Sequence, residues 1–130
     1  GGGSALCDER IAQTYSQLSQ KSYAHSFILY CDGLPAAMAN CFESFSTFSA
    51  RAVLNIHDFV VHGDFRSNGL SQTLLNAIEK FSIEKGYAKI TLEVLSENHA
   101  AKASYKKFGF NEYQLSPEAG NAQFWHKVLN

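Results

Sequence analysis

Apolar positions recur along this chain in two different periods, and each change of period marks an element. The strongest signal is helical. Leu70, Leu74, Ile78 and Phe81 fall at i, i+4, i+8 and i+11, which is one stripe of a helix over Leu70–Lys85, and Gly86 follows as a natural C-terminal cap. Residues 5–21 predict a first helix, with Leu6, Ile11, Tyr15 and Leu18 on one stripe. Residues 96–108 predict another, with Ala101, Tyr105 and Phe108 aligned and Gly109 closing it. Between these lie runs that suit strands: 26–31, 35–49, 53–61 and 89–95, the last with Ile90, Leu92 and Val94 on one face. Asp32-Gly33 is a hairpin signal between the first two, and His62-Gly63-Asp64 ends the third. Residues 110–115 and 123–129 read as two final strands around a turn-like stretch, 116–121. Phe42, Phe45 and Phe48 recur every three residues, which does not suit a regular strand; core or hairpin packing accounts for them, and an acceptor pocket or dimer contact is the alternative. Hairpins at both ends with helical crossovers between them imply an α/β or α+β domain on a mixed sheet.

Composition narrows the class. The chain has 130 residues, 45% hydrophobic and 18% charged, which fits one globular domain over 5–130. Gly1-Gly2-Gly3-Ser4 reads as a flexible lead or cloning remnant, with no secretory signal pattern. The formal charge is -1, with no basic stripe to suggest a nucleic-acid partner. No apolar run reaches the roughly 18 residues of a membrane span. Cys7, Cys31 and Cys41 are odd in number and form no Cys-x-x-Cys, so neither a disulfide framework nor a metal site is expected. Free thiols point to a reducing, cytoplasmic setting.

The candidate chemistry begins at Arg66-Ser67-Asn68-Gly69-Leu70-Ser71, between a strand and the strongest helix. Backbone N–H groups at a helix start, with the macrodipole behind them, attract anions. Gly69 permits close backbone approach and Arg66 can add a charge-assisted bond. An ordinary strand-to-helix turn explains the same residues equally well. Neither the P-loop Gly-Lys-Ser/Thr nor the Rossmann glycine triplet is present.

Arg66-x-x-Gly69-x-Ser71 resembles the Gln/Arg-x-x-Gly-x-Gly/Ala signature of the GNAT superfamily of N-acetyltransferases. The preceding stretch, Leu54 to Val61, resembles that family's fourth strand. Downstream, Leu92-Glu93-Val94, then Asn98, Ala101 and Tyr105, then Gly109-Phe110 follow its Leu-Glu-Val, Asn-x-x-Ala-x-x-x-Tyr and Gly-Phe elements in order and spacing. Ser71 departs from the usual Gly/Ala, and Gly63 stands where many members have Pro. The family also begins with a strand and a helix ahead of the helix at 5–21. Their apparent absence here leaves one sheet edge expected to be open, to be covered by preceding chain or by a partner subunit, as in a homodimer.

The resemblance implies acetyl-CoA as co-substrate and a primary amine as acceptor, a small molecule or a protein N-terminus or lysine, with no metal. It implies that Arg66, Ser67, Asn68, Gly69, Leu70 and Ser71 hold the coenzyme phosphates. Backbone amides at Phe59 and Val61, with Val60 between, would bind the acetyl carbonyl and pantetheine arm, and Asn98 and Ala101 would contact the coenzyme. Tyr105, two turns beyond Asn98, is placed near the coenzyme sulfur as general acid; a half-buried packing tyrosine is the bland reading. Glu93, expected inside an apolar strand and opposite Ile90, Leu92 and Val94, is the first candidate base. His57, expected to share strand parity with Asn55 and Phe59, is its rival. Asp58 has the opposite parity and is expected to brace a loop. His25, His62, His99 and His126 show no ligand spacing and read as surface or supporting residues. The segment from Tyr113 to Lys127, including Trp125, resembles the family's last hairpin beside the acceptor. A domain that binds acyl-CoA without turnover remains the alternative, and an assembly protein using its open edge a third.

Overall fold

A computed structural model describes residues 4–130, so all of the expected lead except Ser4 lies outside the described residues. The chain divides into two compact units, one running to Leu92 and the other Glu93–Asn130.

In the first unit, helix α1 (Asp8–Ser19) is followed by strands β1 (Ala24–Cys31), β2 (Leu34–Ser46) and β3 (Arg51–Val61), a short 3-10 turn (Gly63–Phe65), helix α2 (Leu70–Lys85) and strand β4 (Ile90–Leu92). The sheet order is β1-β2-β3-β4. The first three strands are antiparallel neighbours, and β4 runs parallel to β3. This is the mixed, mostly antiparallel sheet expected, in an α/β arrangement with helices.

Local chemistry explains the best-defined parts. Asp32 and Gly33 both take positive φ, 50° and 78°, which is what a two-residue hairpin turn with the right twist demands. Helix α2 begins and ends where its stripe predicts. Gly86 closes it in the left-handed region at φ 75°, with its N–H and that of Tyr87 returning to Ile83 and Ser82 carbonyls. Arg51 donates from Nη2 to the Gly86 and Tyr87 carbonyls at 2.9 and 3.3 Å, so a β3 side chain ties down the helix end.

The core lies between α2 and one sheet face. Ala37, Ala39 and Cys41 of β2 and Leu54 and Ile56 of β3 share that face and are buried with Leu74, Leu75 and Ile78 of α2. Alanines at 37 and 39 leave room for the helix, while Leu54, Leu75 and Ile78 fill it; full burial of each such side chain is worth roughly 1.5–3 kcal/mol. Phe81 of α2 reaches β1, with its ring 5.3 Å from that of Phe27 and 4.9 Å from that of His25.

Several expectations need correction. Helix α1 is shorter than 5–21, and Leu6, Ile11 and Tyr15 of its stripe are 52–76% exposed rather than packed. Strand β4 has three residues, not seven. In the second unit, helix α3 (His99–Phe108) forms, but 110–115 and 123–129 are not strands. One isolated bridge, Gln114 to Asn121, spans a 3-10 turn at Pro117–Ala119. Phe124, Trp125 and Leu129 are 77–83% exposed. Strand propensity expresses itself only against a partner and a packing face, and a lone two-stranded hairpin is marginal in water. Phe42 is half-buried in β2, whereas Phe45 at its end and Phe48 in the following turn are exposed, so the every-three spacing marks the hairpin tip rather than a pocket.

Candidate functional site

The site is built around a single irregularity. In the β2–β3 ladder Asn40 pairs with Asp58 and Cys41 pairs with Ile56, so His57 is one residue too many: a β-bulge. Two consequences follow.

The first concerns side chains. A regular strand would put His57 with Asn55 and Phe59, and Asp58 on the other face. The bulge breaks that parity. Phe59 pairs with Ala39 on the core face, while Asp58 pairs with Asn40 and so shares a face with Asn55, whose partner is Phe42. This corrects the expected placement of both His57 and Asp58. Asp58 braces no loop: its Oδ2 accepts from Asn40 Nδ2 at 3.0 Å, and Asn40 Oδ1 accepts from Ser26 Oγ at 2.7 Å. His57 sits beside this ladder with its ring 5.2 Å from that of Phe42. Asn55 adds a bond to Thr91 Oγ1 at 3.1 Å. The face away from α2 thus carries a polar band with an exposed carboxylate and an exposed imidazole.

The second concerns the backbone. Leu54 N–H donates to Lys89 O, ahead of β4, whereas His62 N–H donates to Ala36 O, next to β2. Because amides alternate edges along a strand, the even positions up to Ile56 point towards β4, and beyond the bulge the odd positions Phe59 and Val61 do so. The β3–β4 ladder stops at Ile56, opposite Leu92. Strand β3 therefore runs five residues past the end of its ladder with β4, with the Phe59 and Val61 amides aimed at that edge. The Val61 carbonyl on that edge accepts from Arg66 Nε at 3.2 Å, which draws the guanidinium to the same place.

Arg66 opens the loop that leads into α2. Ser67 and Gly69 both adopt left-handed backbone, φ 65° and 73°. A Cβ on Gly69 would meet nothing within 4 Å, so its requirement is conformational rather than steric. Gly69 is the N-cap of α2 and offers no capping side chain, and the first turn holds no acidic residue. Helix α1, by contrast, opens with Asp8 and Glu9. The positive end of the α2 dipole thus carries no compensating charge from its own first turn. Ser67, Asn68 and Gly69 are exposed; Leu70 and Ser71 are half-buried.

The second unit places the remaining candidates. Asn98 is the N-cap of α3, its Oδ1 accepting from Ala101 N at 3.3 Å. Tyr105 lies half-buried on that helix with its ring 5.9 Å from that of Phe110. Burial pushes its phenol above the usual tyrosine range. Glu93 falls just after the end of β4 rather than inside the strand, and it is exposed. Of the other histidines, His62 Nδ1 accepts from Asp64 N at 3.2 Å in a turn, and His99 lies 3.4 Å from Glu97. His25 is half-buried and supporting: its Nε2 lies 3.4 Å from Tyr87 Oη, which donates to Glu43 at 2.7 Å. His126 and Trp125 are exposed.

Asp58 and its partners Asn40 and Ser26 were not legible as a group in the sequence. The available signal was His57-Asp58 itself, two adjacent polar residues where an apolar strand should alternate. Among the described residues no group of three or more His, Cys, Asp or Glu could hold a metal ion, and no helix is long and apolar enough to cross a membrane.

Comparison with known proteins shows the family and the fold. The family description "Acetyltransferase (GNAT) family" matches residues 4–110. An uncharacterised N-acetyltransferase of Methanocaldococcus jannaschii is 30% identical over 90 residues, 68% of this chain and 40% of that protein. A Bacillus subtilis protein provisionally named as an alanine N-acetyltransferase of ribosomal protein bS18 is 27% identical over 95 residues, 73% of this chain and 59% of that one. The chain therefore spans about two-fifths to three-fifths of the length of these relatives. Among solved structures, AAC(6′)-Iy in complex with the bisubstrate analogue CoA-S-monomethyl-acetylneamine superposes with a TM-score of 0.76 at 19% identity, covering 98% of this chain and 84% of that one. With the family match extending over residues 4–110, this chain belongs to the GNAT acetyltransferase family.

Proposed function

We propose that the chain transfers an acetyl group from acetyl-CoA to a primary amine. The observation that carries this reading is the bulge at His57. One extra residue turns the Phe59 and Val61 amides towards the splayed edge and, in the same stroke, brings Asp58 to the polar face. A thioester that lies along this edge has its carbonyl beside amide donors. Its diphosphate then falls to Arg66 and the first turn of α2. The bisubstrate analogue bound by AAC(6′)-Iy and the alanine named for the Bacillus subtilis relative both support an amine acceptor.

In the reaction, Asp58, with His57 beside it, accepts a proton from the acceptor's ammonium. The freed nitrogen attacks the thioester carbonyl carbon, and the developing oxyanion is met by the edge amides. The carbon–sulfur bond breaks, the departing thiolate is protonated, and the nitrogen gives up its second proton to leave the neutral amide; the family resemblance implies Tyr105 as the group that donates to the thiolate and then regains the proton shed by the nitrogen. A phenol held above its usual range keeps its own proton at neutral pH, so it is present to be given. Asn98 holds the start of α3 and so fixes the helix that carries Tyr105. Glu93 is not assigned the base, because it falls after the end of β4 rather than inside the strand.

The test is thiol release from acetyl-CoA with a panel of primary amines. Amine-dependent release is expected, and Tyr105→Phe should lower it by roughly 10–100-fold while leaving coenzyme binding nearly intact. Coenzyme binding without any amine-dependent release would favour the acyl-CoA-binding module, and absence of binding would defeat both.

A further inference from the structure

Three residues that stand in register across three strands form one polar ladder on the face away from the core. Ser26 of β1 pairs with Asn40 of β2, and Asn40 pairs with Asp58 of β3. Ser26 Oγ donates to Asn40 Oδ1 at 2.7 Å, and Asn40 Nδ2 donates to Asp58 Oδ2 at 3.0 Å. The chemistry is directional. A carboxylate only accepts, so the Asn40 amide must turn its NH2 towards Asp58 and its oxygen towards β1. Ser26 meets that oxygen with a hydroxyl proton, so the orientation set at the Asp58 end is satisfied at the β1 end as well. One oxygen of Asp58 is thereby committed. The other, Oδ1, has no hydrogen-bond partner among the described residues, and the residue is exposed.

We propose that Asn40, itself fixed by Ser26, is a positioning residue that holds Asp58 so that Oδ1 receives the ammonium of a cationic primary amine. Asn40 touches neither coenzyme nor acceptor in this role; it acts through the Asp58 carboxylate. This rests on the acetyl-transfer reading above and adds to it a residue set and a substrate class. It also gives β1, far from the coenzyme loop in sequence, a part in acceptor selection. A ladder that merely braced the sheet would affect stability without distinguishing the two substrates.

That distinction is the experiment. Thiol release is measured with acetyl-CoA and with a cationic primary amine from the active panel, varying each in turn. Asn40→Leu, which fills the space without a donor, should raise KM for the amine roughly tenfold and leave KM for acetyl-CoA within about twofold. Ser26→Ala should give a smaller rise, about threefold, and Ser26→Thr, which keeps the hydroxyl on a strand-compatible side chain, should restore the original value. Equal changes in both KM values, unchanged KM for the amine, or a Ser26→Thr variant as impaired as Ser26→Ala would overturn the proposal. If Asn40→Leu does not fold, the Ser26 pair decides alone. No amine-dependent release from the unaltered protein would instead sink the acetyl-transfer reading, and this proposal with it.

Discussion

The two halves of β3 are made of similar residues and do opposite work. Arg51–Ile56 lies between β2 and β4, with Val53, Leu54 and Ile56 buried and Arg51 fastening the end of α2. From His57 onward the parallel neighbour is gone, His57 and Asp58 are exposed, and the strand edge faces Arg66 instead of β4. One inserted residue separates the halves. The contrast teaches that the sheet divides its tasks along a strand rather than between strands. The first half is packed into the core, and the second, on the proposed reading, turns its backbone amides and carboxylate to ligands.

The largest effect should come from damaging the first half. Leu54 has no exposed surface, so Leu54→Ala should cost about 2–5 kcal/mol of unfolding free energy, read by urea denaturation. A cost below about 1 kcal/mol would show that this half is not the anchor. Next is the second half. Asp58→Asn keeps size and hydrogen bonding but cannot take a proton. It should lower kcat/KM for the amine by roughly 100-fold while shifting stability by no more than about 0.5 kcal/mol. Unchanged turnover would pass the base role to His57, and an equal loss of stability would erase the division between the halves.

The smallest effect sharpens the comparison through pH. Tyr87 and Cys41 both pack on the core side near the paired half. Burial first, then the hydrogen bond and charge of Glu43, pushes the Tyr87 phenol up from 10.0 to about 12. Burial first, then the charge of Asp58, pushes the Cys41 thiol up from 9.0 to about 12. Both folded values exceed the unfolded ones, so the fold favours the protonated forms. Their contribution is fully present below about pH 9 and is lost as pH rises towards 12. Tyr87→Phe should cost about 1 kcal/mol at neutral pH and flatten the fall between pH 10 and 12, with little change in turnover at pH 7. An unaltered alkaline slope would remove Tyr87 from the account.

The sequence was most informative where one segment contains its own reasons. Helix α2 was readable from Leu70 to Lys85 because its stripe and its closing Gly86 are local. So was the β1–β2 turn, since Asp32-Gly33 states its backbone angles directly. The family was readable because Arg66, Gly69, Asn98 and Tyr105 recur at fixed spacings. Helix α1 and the last two strands were read from the same kinds of pattern with a different outcome. Amphipathicity and strand propensity say what a segment can bury, and not whether a partner is present to bury it against.

The bulge belongs to neither kind of local signal. Nothing in Ile56-His57-Asp58-Phe59 by itself says which residue is extra, because a bulge is a mismatch between two strands. It exists only once Asn40 has found Asp58 and Cys41 has found Ile56. The sequence alone determined the Arg66–Ser71 motif, the helix behind it and the family. Tertiary pairing decided which β3 amides face the edge beyond the β4 ladder, that Asp58 stands on the polar face, and that Asn40 and Ser26 line up beside it. A local pattern fixes the conformation of its own residues, whereas facing and register are relations between strands far apart in the chain.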